Sequence, residues 1–214
     1  MKQLLIVGAG GFGREAFALA REAVGYGTEF TVKGFLDARA DALAGFENYP
    51  PVLGSPDSYA IGPDDVFITA VGSIDARRGL VAKIAAKGGR FISLVHKSAF
   101  LGVNVTLGEG SYISNNVTLT ADIRVGRHVC IFQNVSIGHD SELGDFSHVY
   151  AQCALGGGVK LGEGASVYPG AVLLPRRTIG ENAVVGAGST VIVNVAAGET
   201  VFGSPAAPVK GKIK

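Results

Sequence analysis

The 214 residues include no tryptophan, one methionine and two cysteines, and only 17% are charged. Two thiols give no disulfide framework for a chain of this length. Cys130 and Cys153 also lack the spacing of a metal motif, so both read as buried thiols. With 19 basic and 18 acidic residues the net charge is +1, which provides no electrostatic grip on nucleic acid or on a membrane surface. Long apolar runs are missing too. The opening MKQLLIVGAGGFG has four apolar residues before its first glycine, too short for the apolar stretch of a signal peptide or for a membrane span. The expectation is therefore a soluble, cytoplasmic protein. What the chain has in excess is glycine, 32 residues, against a 47% hydrophobic background. In a chain without collagen's period, that much glycine implies many tight backbone turns.

The glycines belong to a repeat. Written in sixes from Val95, the chain runs through seventeen unbroken hexads to Ala196, among them IGHDSE, LGDFSH, VYAQCA and LGGGVK. The first position is Val, Leu or Ile in all seventeen, the second is Gly in nine, and the fifth is small or aliphatic except at Arg177. A strand alternates every two residues and a helix every 3.6, so a fixed period of six predicts a parallel β-helix in which each hexad forms one flat side. Three sides make a coil of 18 residues, with the aliphatic first positions stacked inward and glycine or another tolerant residue turning each corner. At about 4.8 Å per stacked strand, nearly six coils make a prism roughly 27 Å long.

Ahead of the repeat, KQLLIVGAGGFGREAFALAREA reads as a strand, a glycine turn and a helix from about Arg14 to Val24. TVKGFLD and DDVFITAVGS supply two more strands, IDARRGLVAKIAAKGG a second helix, and RFISLV a short strand leading into the hexads. Gly8, Gly10 and Gly13 fit G-x-G-x-x-G, and Asp37 ends the second strand. That arrangement lets N–H groups at a helix N-terminus approach a phosphate while the acid meets a ribose or base. Three or four strands make only half of a dinucleotide fold, so a mononucleotide or nucleotide-sugar is favoured over NAD. The bland alternative is that the glycines serve only a tight strand-to-helix turn. The expected organisation is an α/β Rossmann-like domain over 1–94, a β-helix over 95–196 and a terminal strand or tail over 197–214.

The sequence IVGAGGFGREA followed by GFLD, AVGS and LVHKSA, passing into uninterrupted hexads with IGHD, resembles the NeuD/PglD group of bacterial sugar acetyltransferases over essentially the whole chain. The resemblance implies a left-handed β-helix assembled as a homotrimer, with acetyl-CoA bound between adjacent β-helices and a nucleotide-linked amino sugar on the N-terminal domain. By position it places Gly10, Gly11, Phe12, Asp37 and Gly72 at the nucleotide. It places His148, Gly157, Gly186, Ala187 and the exit motif VFGSPA at the coenzyme. The chain departs from the group's usual residues at Phe12, Ala38 and Ala207, with Lys210 and Lys212 coming later in a basic tail.

Acetyl transfer from a thioester needs a base for the attacking nucleophile and a donor for the carbonyl oxygen as it becomes an oxyanion. His139 and Asp140 are the third and fourth residues of their hexad, outside the aliphatic ladder and therefore near the surface. Histidine suits the role of base, and a neighbouring carboxylate holds its tautomer. Adding 18 to 139 gives Gly157, in the run Gly156-Gly157-Gly158, on the next coil above the histidine. The resemblance agrees, matching His139 to the catalytic base and Asp140 to its acid. A zinc site from His139, His148 and Asp145 is disfavoured because the two histidines lie half a coil apart, and no metal is expected. His96 reads as structural, and His128 as an exposed hexad residue without a role. The leading expectation is an acetyl-CoA-dependent N-acetyltransferase acting on a UDP- or GDP-linked amino-dideoxy sugar for surface glycans. An O-acetyltransferase on a sialic acid or other glycan precursor is the alternative enzyme, and a nucleotide-binding scaffold trimer the alternative without catalysis.

Overall fold

The computed structural model describes residues 1–209, so Lys210 and Lys212 of the basic tail lie outside the described residues. The chain divides into two compact units, Met1–Lys97 and Ser98–Lys214. No helix among the described residues is long and apolar enough to cross a membrane.

The first unit is a parallel sheet with strand order β2-β1-β3-β4, built from β1 (Lys2–Val7), β2 (Phe30–Leu36), β3 (Asp65–Thr69) and β4 (Arg90–Phe91). Leu4, Leu5, Ile6 and Val7 are all buried, the continuous apolar run of a parallel strand covered on both faces. Helix α1 spans Gly11–Arg21, starting and ending three residues before the expected bounds because the glycine turn is itself the first helical turn: Arg14 N–H donates to the Gly10 carbonyl at 3.0 Å. Helix α2 (Ile74–Ala86) is capped by Ser73, whose hydroxyl accepts from the Ala76 N–H at 3.3 Å, with Asp75 in its positive first turn. RFISLV splits into β4 and a separate pair, Leu94–Val95. Leu5, Val7, Leu36, Phe67, Ile84 and Phe91 form one core cluster, each large side chain stabilising by about 1.5–3 kcal/mol.

The second unit is a left-handed parallel β-helix with three sheets. Up to Val191 the strands are two residues long, the sixth position of one hexad and the first of the next, and pair with residues 18 further on: Cys130 with His148, Ser136 with Ala154, Glu142 with Lys160. First-position residues such as Ile131, Ile137, Val149 and Leu173 are buried, as the hexad frame requires. The last coil is shortened: Val184 pairs with Thr200 and Val185 with Val201, and Ala207–Pro208 folds back antiparallel.

The corners differ from the simplest expectation. Positive φ falls at the fourth hexad position, at Asn104, Asn116, Asp122, Asn134, Asp140 and Asn182 among others, where Asn and Asp tolerate the left-handed region. The second-position glycines answer a different demand. A Cβ on Gly138 would stand 2.5 Å from the Gly157 nitrogen, and one on Gly144 would stand 2.7 Å from the Glu163 nitrogen. Glycine there lets successive coils stack closely.

Candidate active site

Strand Ser136–Ile137 runs into Gly138, and the chain then turns through His139 to Asp140, which has φ 58°. Both side chains are presented to solvent, 70% and 68% exposed. His139 Nδ1 lies 2.7 Å from Asp140 Oδ2, a contact in which the carboxylate accepts a hydrogen bond from Nδ1–H in the tautomer that leaves Nε2 with its lone pair. Nε2 faces the coil above, where a Cβ on Gly157 would stand 2.7 Å from it. Gly158 N–H donates to the His139 carbonyl at 2.6 Å and Arg176 N–H donates to the Gly157 carbonyl at 2.9 Å, fixing this stack of coils. The corner therefore offers a basic nitrogen beside bare backbone, with open access from outside.

His148 is not presented in that way. It is 1% exposed, with Nδ1 3.3 Å from the Tyr150 hydroxyl and its ring edge-on to Phe132 and Tyr150. The expectation of a histidine facing the coenzyme thus meets one enclosed by aromatics: Phe132 and Tyr150 stack at 5.2 Å, and Tyr168 lies 4.9 Å beyond. Gly186 continues the same second-position column, and the Phe202 ring occupies the space its side chain would fill, 2.0 Å from a built Cβ. Ala187 is exposed. His128 corrects an expectation as well: it is buried, stacked on Phe146 at 5.0 Å, because fourth-position side chains pile along the corner. Cys130 and Cys153 are both buried, and burial pushes the Cys153 thiol up to about 11, so Cys153 is not a nucleophile near neutrality.

In the first unit the glycine turn divides its duties. Gly8 has φ 102°, and a Cβ on Gly13 would stand 2.0 Å from the Gly8 carbonyl, so these two serve the tight strand-to-helix packing. Gly10, Gly11 and Gly72 have nothing within 4 Å of a built Cβ, leaving space beside the helix N-terminus. Phe12 is half-buried. Asp37 Oδ2 accepts from the Ala9 N–H at 2.9 Å, and Oδ1 accepts from the Arg39 N–H at 3.0 Å and the guanidinium at 3.2 Å. Burial pushes the Asp37 carboxyl up, but the Arg39 side chain and these N–H groups outweigh it and hold the pKa below the usual range. A cavity of about 300 Å³ opens here, reached by Gly8, Asp37, Ala38 and Val71 from the carboxyl ends of the strands. Ligands of open α/β sheets bind at this position.

Sequence reasoning missed two features of these sites. The Arg39 clamp on Asp37 lies just beyond the second strand and shows no spacing signal. The aromatic column was visible as Phe132, Tyr150 and Tyr168 at intervals of 18 residues, a periodicity that reading for the aliphatic ladder passes over.

The model described as the PglD N-terminal domain matches residues 3–84, and that of bacterial transferase hexapeptide (six repeats) matches residues 158–192. UDP-N-acetylbacillosamine N-acetyltransferase of Bacillus subtilis (strain 168) is 31% identical over 115 residues, 53% of this chain and 51% of that protein. The match thus spans about half the length of this curated relative. The acetyltransferase domain of PglB from Neisseria gonorrhoeae FA1090 superposes with TM-score 0.88 at 27% identity, covering 98% of this chain and 100% of that one. PerB from Caulobacter crescentus, solved in complex with CoA and GDP-perosamine, gives TM-score 0.85 at 29% identity and 98% coverage of both chains. The glycine turn of the first unit and the hexad β-helix of the second thus each match a family model, and together with these relatives they support a likeness to the NeuD/PglD group of the hexapeptide-repeat transferases.

Proposed function

We propose that the protein transfers an acetyl group from acetyl-CoA to the amine of a nucleotide-linked amino-dideoxy sugar, with His139 as general base. The observation that carries this reading is the His139 pair: Nδ1 tied to Asp140 at 2.7 Å, Nε2 turned to the bare backbone at Gly157. The relatives support the substrates, one named as an N-acetyltransferase of a UDP-sugar and another solved with CoA and a GDP-linked sugar.

In the reaction the sugar amine attacks the thioester carbonyl carbon while its proton passes to His139 Nε2. The carbonyl oxygen becomes an oxyanion, for which we assign the Gly157 N–H as donor. Collapse breaks the carbon–sulfur bond, and the thiolate of CoA takes the proton back from His139. The Asp140 carboxylate stabilises the imidazolium through its hydrogen bond with Nδ1–H. The product is an amide, and no covalent enzyme intermediate forms.

Gly10, Gly11, Phe12, Asp37 and Gly72 are assigned to the nucleotide end, where the positive N-terminus of α1 favours a phosphate. Gly186 and Ala187 are assigned to the coenzyme side. His148, edge-on to Phe132 and Tyr150, is assigned to the same coenzyme-side wall. A homotrimer is part of the proposal: the His139 corner is open on a single chain, and the face carrying Ser136–Ile137 continues to exposed Leu174, Ile192 and Val193, an apolar patch that a second copy would cover. The experiment is thiol release from acetyl-CoA against a panel of UDP- and GDP-linked amino sugars, with mass detection of product. Acetylation at an amine is expected. Acetylation of a hydroxyl alone, or no transfer to any member, contradicts the reading.

A further inference from the structure

The cavity at the carboxyl ends of β1, β2 and β3 has a polar rim that the nucleotide assignment leaves unused. Its walls are apolar, with Leu36, Ala38, Pro56, Val71 and Leu80 around about 300 Å³, while Asp57 and Lys83 meet at its mouth. Lys83 Nζ lies 2.8 Å from Asp57 Oδ1. The pair is held in place from behind. Lys87 donates to the Pro56 carbonyl at 2.9 Å, to the Asp57 carbonyl and to the Tyr59 carbonyl at 3.4 Å, and Ser58 N–H donates to Ser55 Oγ at 3.2 Å. Three carbonyls on one ammonium fix the loop that carries Asp57 against the end of α2. The carboxyl of Asp57 lies below its usual pKa because of Lys83, so it is an ionised acceptor at neutral pH.

An apolar cavity lined also by an ammonium and a carboxylate side by side suits one nucleobase edge. Guanine presents an acceptor, O6, next to two donors, N1–H and the 2-amino group, so O6 meets Lys83 while both donors meet the Asp57 carboxylate. Uracil presents one donor between two carbonyl oxygens, and its second oxygen would face the carboxylate. Adenine presents an unprotonated ring nitrogen where a donor is needed. Resting on the nucleotide-sugar reading above, we propose that this cavity takes a guanine base, so that the amino sugar that accepts the acetyl group is GDP-linked, with Asp57 and Lys83 as the residues that set the choice.

The test is calorimetric titration of the full chain with GDP, IDP, UDP and ADP at one salt concentration, repeated for Asp57→Asn, with thermal melts to confirm that the variant folds. GDP is expected to bind about tenfold or more tighter than UDP and ADP, with IDP between them because it lacks the 2-amino group. Asp57→Asn is expected to remove the preference for GDP, by weakening GDP and tightening UDP, since an amide N–H can meet the uracil oxygen that the carboxylate repels. Equal or tighter binding of UDP than of GDP by the unsubstituted protein, or a uniform loss for every nucleotide in Asp57→Asn, overturns the base assignment while leaving a nucleotide site in place. Absence of binding by all four overturns both this inference and the nucleotide reading on which it rests.

Discussion

His139 and Gly157 are stacked one coil apart, so that a single methyl group on the glycine would lie 2.7 Å from the imidazole Nε2 and 2.9 Å from Cε1. The absence of that methyl keeps the basic nitrogen in place with room in front of it. Gly157→Ala is therefore expected to push the ring off its position without unfolding the protein, since the obstacle is the far end of an exposed side chain. Turnover is expected to fall about 100-fold, and the melting temperature to move by a few degrees at most. Steady-state kinetics beside a thermal melt read both effects.

Asp140 combines two duties that substitutions can separate. It holds the imidazole at 2.7 Å and it turns the corner at φ 58°. Asp140→Asn keeps the turn but removes the negative charge, so the fold should persist while kcat drops about 10- to 100-fold. Asp140→Ala loses both and should cost roughly 1 kcal/mol of stability besides, because Cβ clashes in the left-handed region. Asp140→Gly should recover that stability and not the activity. Paired denaturant and rate measurements on the three variants distinguish these outcomes.

The first unit contains a carboxylate that should make stability depend on acid. Asp65, buried at the start of β3, accepts from Lys33 at 2.7 Å, Gly62 N–H at 2.7 Å and Tyr59 at 2.9 Å. Burial pushes its pKa up, but these donors outweigh burial and depress it. A depressed folded value stabilises the protein above the unfolded carboxyl pKa, about 3.9, and that contribution is lost as pH falls through the folded value. Asp65→Asn should lose stability at pH 7, about 2–4 kcal/mol, and show a flatter acid limb below pH ~4 than the unsubstituted protein. Melting curves across pH 2–7 check the slope.

Most of the β-helix was legible because its constraint is local and periodic: Ile137 and Leu143 had to point inward once the six-residue frame was set, and that frame also exposed His139 and placed it under Gly157. The reason for glycine at the second position was not legible, since it depends on the coil above, as Gly138 against Gly157 shows. Gly138→Ala should accordingly destabilise by about 1–3 kcal/mol, backbone being unable to yield as a side chain does, and a denaturant midpoint measures it. The burial of His128 and His148 was hidden for a related cause. Outward positions are exposed unless a column of rings covers them, and Phe146, Phe132 and Tyr150 form those columns. In the first unit the glycine turn was readable as a motif, but Asp57 and Lys83 meet only through the packing of a loop on α2, which no spacing announces.

The most direct test of the account is the turnover of His139→Ala with acetyl-CoA and the accepted nucleotide amino sugar, measured beside calorimetric binding of CoA. The base assignment predicts that turnover falls by about 100-fold or more while CoA binds as in the unsubstituted protein. Unchanged turnover in that variant, with CoA still bound, would contradict it.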